Sequence, residues 1–182
     1  IVAGNFVPAS YSASISTDKK TEEIRITLGG GNVKEFSITP ESPVSSKAIP
    51  VTDGHRRNVI DPMTASLVRV LGKEDPLTPD ACKHHIAIFD GRIRYDLDFA
   101  FKRMDKVKAE KGYQGPALVC SVFFSPVAGH VPDRAAVKYL TSAAFRVVRP
   151  SLPLDDGSAP SIVKFASPSI VAESAATTSS WW

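Results

Sequence analysis

Metal-ligating residues are scarce in this chain: two cysteines and four histidines among 182 residues, with no CxxC pair and no histidine cluster. A structural zinc site takes about four such ligands, so no metal site is expected. Excess charge of one sign is missing too. With 22 basic and 19 acidic residues the net charge is only +3, too weak for the basic face of a nucleic-acid binder. The densest basic stretch, residues 102–111, is diluted by Asp105 and Glu110 and reads as a solvated loop or short helix. No apolar run approaches the ~20 residues of a transmembrane helix. There is no GxSxG elbow, P-loop, GxGxxG after a strand or HExxH, and no cofactor is expected. The chain starts at Ile1 without Met, so its start says nothing about compartment.

What is present is the ordinary balance of a globular domain, 43% hydrophobic and 23% charged, with strand periodicity. Tyr11, Ala13 and Ile15 alternate with serines, and Ile24, Ile26 and Leu28 alternate with Glu23, Arg25 and Thr27. A turn over residues 18–21 would set Ile15 opposite Ile24, Ala13 opposite Ile26 and Tyr11 opposite Leu28. After Gly29-Gly30-Gly31-Asn32, Phe36 and Ile38 continue the pattern. An even loop there would put Ile26 against Glu35. An odd loop over residues 30–32, or an equivalent bulge, puts Ile26 against Phe36 and Ile24 against Ile38. Gly29–Gly31 precede a strand rather than a helix, so they read as a turn and not as a phosphate cradle.

Residues 39–58 form a long connection. Asp61 and Pro62 then open a helix as N-cap and first residue, with Met63, Leu67, Val70 and Leu71 on one face and Gly72 at its end. The strongest strand pair spans residues 82–102. A two-residue turn at Asp90-Gly91 would place Ile88 opposite Ile93, Ile86 opposite Tyr95 and His84 opposite Leu97. On the other face His85 would meet Asp96 and Lys83 would meet Asp98. Cys82 falls on the apolar row, which Phe99 and Phe101 continue. Leu118, Cys120, Val122 and Phe124 share a face of a further strand. Two cysteines are consistent with one disulfide or two buried thiols, and their placement on core-facing strands favours a Cys82–Cys120 disulfide. Asp133 would cap a short helix over residues 134–140, and residues 144–182 read as a Pro/Ser/Ala-rich, poorly ordered tail.

Candidate chemistry is thin. His84 and His85 point to opposite strand faces. His55 and His130 lie in loops near Arg56, Arg57 and Arg134, either an anion-binding loop or an ordinary surface. Asp90, Asp96 and Asp98 have turn and pairing roles rather than the enclosed setting of catalytic carboxylates. No catalytic residue is assigned.

Several stretches resemble the exported Gram-negative family of domain of unknown function 3108. They are Phe6-Val7-Pro8-Ala9-Ser10-Tyr11-Ser12, Gly30-Gly31-Asn32-Val33-Lys34, residues 51–62 running into Met63, and Cys82. Phe89-Asp90-Gly91-Arg92-Ile93-Arg94-Tyr95-Asp96-Leu97, residues 108–116 with Cys120, residues 126–134 and residues 136–140 complete the set. The resemblance covers residues 1–143 and implies a single antiparallel β domain, export to the periplasm and no assigned activity. More distantly, the sheet is similar to the half-barrel of outer-membrane lipoprotein carriers. That likeness implies a non-enzymatic module binding a lipid or other apolar envelope component on a concave face. The alternative is a structural β domain that pairs exposed sheet edges with a protein partner; an envelope enzyme is a third reading. Family members carry further strands at both ends, so the expected fold is mostly β (α+β): a curved antiparallel sheet or half-barrel with one or two short helices. It would be incomplete at both ends, as in a fragment with a shifted C-terminus.

Overall fold

A computed structural model of the chain describes residues 7–18, 20–41, 43–66, 77–108 and 114–143, together with the backbone of 145–150 and 164–166. The fold is mostly β and antiparallel, as expected. Strands β1 (Ser10–Ser16), β2 (Thr21–Gly29) and β3 (Asn32–Thr39) form one sheet in that order. A short helix α1 (Pro62–Ser66) precedes β4 (His84–Phe89), β5 (Arg94–Lys108) and β6 (Gln114–Ala128). Helix α2 (Ala135–Ser142), β7 (Phe145–Pro150) and β8 (Lys164–Ala166) follow, and β4 to β8 make the second sheet in sequence order. The last two strands fall within the segment expected to be a poorly ordered tail; its other residues, like Leu67, Val70, Leu71 and Gly72 of the expected helix, lie outside the described residues.

Alternation assigns the faces correctly, because neighbouring side chains on a strand point to opposite sides. On β2, Ile24, Ile26 and Leu28 are buried while the residues between them are exposed. The β2–β3 register is the expected one, Ile26 opposite Phe36 and Ile24 opposite Ile38, reached by a tight Gly30-Gly31 turn and a bulge after Thr27. The other two hairpins differ from expectation by two residues. Tyr11 faces Ile26 and Ala13 faces Ile24, because Thr17 closes the loop to Lys20: its N–H donates to Lys20 O at 2.8 Å and its hydroxyl to the same oxygen at 3.0 Å. In the β4–β5 hairpin, Phe89 pairs with Arg94, Ile88 with Tyr95, Ile86 with Leu97 and His84 with Phe99. The turn therefore spans Asp90 to Ile93 rather than Asp90-Gly91 alone. Asp90 makes it: its Oδ1 accepts the N–H groups of Arg92 at 2.8 Å and Ile93 at 2.7 Å.

Two cores lie on the two sides of β4. One joins Cys82, Phe99, Leu118, Cys120 and Val122, with Ile86 and Leu97 against them. The Cys82–Cys120 disulfide sits inside it, with a Cα–Cα separation of 5.6 Å. Cys82 reaches it from the end of a 3-10 turn, Pro79–Cys82, and not from the strand. The other core joins Ile24, Ile26 and Leu28 of the first sheet to Val59 and Phe89. Asp133 does not cap α2, whose N-cap is Arg134; it lies 3.1 Å from Lys138 Nζ instead.

Two glycines allow the 90–93 turn to sit between these parts. Gly91, at φ +100°, faces Ile24, and a Cβ there would lie 2.8 Å from its Cγ2. Gly129, at φ +82°, would place a Cβ 2.0 Å from Arg92 O.

Gly129→Ala should therefore cost at least about 2–3 kcal/mol, combining left-handed strain with a backbone clash. Gly30→Ala, which meets nothing within 4 Å, should cost only the ~1–2 kcal/mol of its positive φ. Urea unfolding midpoints of the two variants check the difference. The disulfide closes a 38-residue separation, so Cys82→Ala/Cys120→Ala should lose about 4 kcal/mol on the chain-entropy account. Unfolding of the oxidised protein and the double variant in parallel measures it.

Candidate functional site

The polar groups of the molecule converge where the first sheet meets the β4–β5 turn. Glu22 shares its strand face with Ile24, Ile26 and Leu28 and is only 5% exposed. Burying a carboxylate there costs too much unless cations accompany it. Lys20 Nζ lies 2.6 Å from one carboxylate oxygen and Arg92 Nη2 lies 2.9 Å from the other. The Arg92 nitrogen makes no aligned hydrogen bond, so that contact is coulombic. It ties the β4–β5 turn to β2.

Asp61, 2% exposed, is fully occupied. Its Oδ1 accepts from Met63 N and Thr64 N, both at 2.9 Å, and its Oδ2 accepts from Thr64 Oγ1 at 2.6 Å. This is the N-cap expected of Asp61. The adjoining Ile60 forms a parallel bridge with Ile88, which faces Tyr95. Tyr11, opposite Ile26, approaches from the first sheet. Tyr11, Asp61, Asp90 and Tyr95 thus share one electrostatic neighbourhood. Burial, and then the negative charge of Asp90, push both tyrosine hydroxyls above their ordinary range. Burial also pushes the Asp90 carboxyl up, against the opposing pull of the Ile93 and Arg92 N–H groups. The arrangement holds two protonated phenols and two carboxyl groups already engaged by backbone N–H groups. It can donate hydrogen bonds and hold a turn.

The residues singled out by sequence distribute as follows. His85 Nδ1 lies 2.8 Å from Asp98 Oδ1, with its Nε2 at 3.7 Å from Asp96. The residue directly opposite His85 is Asp98 rather than the expected Asp96, which follows from the two-residue shift in register, while the contact with Asp96 persists as the longer of two ion pairs. Asp96 pairs more closely with Arg94, at 2.6 Å. Lys83 does not meet Asp98. It caps the 3-10 turn and pairs with Asp80 at 2.7 Å. Asp90 and Gly91 keep their turn roles. His55 Nδ1 accepts from Thr52 N at 3.1 Å. Arg56 lies over the Phe36 ring at 4.6 Å and pairs with Asp53 at 3.1 Å. His130 is buried, its carbonyl accepting from Ile49 N at 2.9 Å. His55 and Arg56 are thus engaged in local structure, whereas His130 is held through its backbone, its buried Nδ1 meeting no hydrogen-bond partner. Sequence reasoning missed the Glu22–Arg92 contact. Its signal was a glutamate in phase with three buried aliphatic residues.

Two surface features complete the picture. A depression of ≈ 230 Å³ is lined by Ser12, Ala13, Ser14, Glu23, Ile24 and Arg25. On the second sheet, Phe101 faces Cys120 and Met104 faces Leu118, yet they are 39% and 46% exposed. The bulge between Phe101 and Arg103 keeps Met104 on the disulfide face. That face therefore runs apolar beyond the end of its core.

Among the described residues no group of His, Cys, Asp and Glu could hold a metal ion, and no helix is long and apolar enough to cross a membrane. Fold and site together define a disulfide-bonded domain of two antiparallel sheets whose buried polar groups join its parts. The chain belongs to the family described as protein of unknown function (DUF3108), which matches residues 1–141. No curated protein and no solved structure matches it, and the likeness to lipoprotein carriers is not shown.

The raised Asp90 pKa has a definite sign in stability. A carboxyl that ionises less readily folded than unfolded binds more protons in the native state, so its contribution is lost as pH rises. Asp90→Asn keeps an acceptor oxygen and removes the titration. The stability difference between variant and parent should move in favour of Asp90→Asn as pH rises from about 3.8 through the raised native value, and stay flat outside that window. Urea titrations between pH 3 and pH 8 measure it.

Proposed function

We propose that this chain is a non-enzymatic module of the cell envelope, working in the periplasm, that binds a hydrophobic or lipid-like envelope component on the open end of its second sheet. The observation that carries this reading is the exposed pair Phe101 and Met104 on the disulfide face. Large apolar side chains left in phase with a core, but past its end, offer area to an apolar partner. The disulfide fits an oxidising compartment. The non-enzymatic reading is supported by the way the buried carboxylates are spent on a helix cap, a turn and an ion pair. The alternative, a structural domain that pairs its sheet with a protein, is favoured by the outer edge of β1, which no described strand covers.

Native mass spectrometry of the oxidised chain with dispersed phosphatidylethanolamine tests the reading. A 1:1 adduct is expected, reduced at least tenfold in Phe101→Ser/Met104→Ser. Absence of any adduct, or an adduct equally populated in the double variant, would overturn it.

A further inference from the structure

Strand β1 ends its sheet, and its sequence is almost a palindrome about Ala13: Ser10-Tyr11-Ser12-Ala13-Ser14-Ile15-Ser16. The N–H of Leu28 donates to Ala9 O at 2.8 Å, which fixes the phase of backbone pairing with β2. In an antiparallel pair the residues of one strand turn their N–H and C=O groups alternately toward and away from the partner. Ala9, Tyr11, Ala13 and Ile15 therefore face β2 with their backbone groups, and Ser10, Ser12, Ser14 and Ser16 turn theirs to the uncovered edge.

Natural edge strands block further pairing with a charge, a proline, a bulge or a covering segment. Residues 10–16 contain no charge and no proline, the β1–β2 register runs without a shift, and no described strand covers the edge. The treatment of β4 is different. Ile60 N donates to Ala87 O and Phe89 N donates to Ile60 O, both at 3.0 Å, so a segment of the chain closes part of that edge.

We propose that the β1 edge is a homodimer interface: a second copy of this chain adds its own β1 antiparallel about a two-fold axis at Ala13, making the two three-stranded sheets continuous. The occupant follows from self-complementarity, since a two-fold contact must present the same patch from both sides. Centring the axis on Ala13 places Ser12 opposite the partner's Ser14 and Ser10 opposite the partner's Ser16, and these are the residues with outward backbone groups. It also places Tyr11 opposite the partner's Ile15 on the core-facing side. The two half-buried apolar rows then merge, and a serine ladder lines the other face. A pairing displaced by one residue would set apolar side chains against the serine face, so the pattern specifies parity as well as partner. This interface uses a different sheet from the apolar row at Phe101 and stands independently of it.

A seven-residue edge contact lies at the small end of interface sizes, so covalent trapping reads it better than chromatography. The two Ala13 residues would form a non-hydrogen-bonded pair with Cα atoms ~4.5 Å apart, within disulfide reach. Ala13→Cys, oxidised with diamide in the otherwise intact chain, should give a dimer linked through position 13. Peptide mapping should show that linkage with Cys82–Cys120 preserved. Adding Ser14→Pro, which removes an outward N–H, should slow crosslinking at least tenfold with far-UV circular dichroism unchanged. Arg25→Cys, on the exposed face of the central strand β2, is the reference for random collision. Crosslinking of Ala13→Cys no faster than that of Arg25→Cys would overturn the proposal, and so would a rate insensitive to a folded Ser14→Pro chain.

Discussion

The close seating of the 90–93 turn against β2 is the constraint on which the rest of the structure depends. Gly91 brings backbone onto Ile24 where a side chain would not fit, and Gly129 lets the end of β6 pass under Arg92. Asp90 holds the turn from inside through two backbone N–H groups. With the backbone so placed, Arg92 reaches Glu22, and a carboxylate on the apolar face of β2 becomes tolerable. Phe89, at the end of β4, then meets Phe36 edge-on at 5.7 Å and completes the core between the sheets. Removing either glycine's freedom would displace all of these together.

Buried polar groups here serve connection. Asp61 starts a helix, Asp90 closes a turn and Glu22 joins two sheets through cations from each. A buried ion pair adds little to stability compared with apolar packing, but breaking one partner of it is costly. That asymmetry suits a junction, because it penalises any arrangement of the two sheets that separates Arg92 from Glu22. The surfaces proposed for binding lie elsewhere, on the open end of one sheet and the edge of the other.

Strand faces were legible from sequence and strand registers only partly, for one physical reason. Side chains alternate with a period of two, so any slip of two residues leaves every apolar residue on its proper face. The β2–β3 test compared loops differing by one residue, which reverses the faces, and it selected the observed pairing. The β1–β2 and β4–β5 assignments chose among loops of equal parity, and both were off by two. Charge pairing did not break the tie at β4–β5, since Asp96 and Asp98 are themselves two apart and either can meet His85. The deciding groups were side chains that close turns, Thr17 and Asp90. The odd residues on each face were the readable signals of a second layer: Glu22 among aliphatic residues, and Phe89 in phase with His85 on the polar side.

The segment around Val59 and Ile60 has a mechanical consequence. Val59 N donates to Gly31 O at 2.8 Å, and Ile60 exchanges hydrogen bonds with Ala87 and Phe89. These bonds add to the Glu22–Arg92 contact and the apolar core around Phe89 in coupling two meanders whose own strands pair with their immediate neighbours in the chain. The segment thus works as a clasp, hydrogen-bonded on one side to the Gly31 turn of the first meander and on the other to β4 of the second, so that drawing it away would loosen both leaves at once.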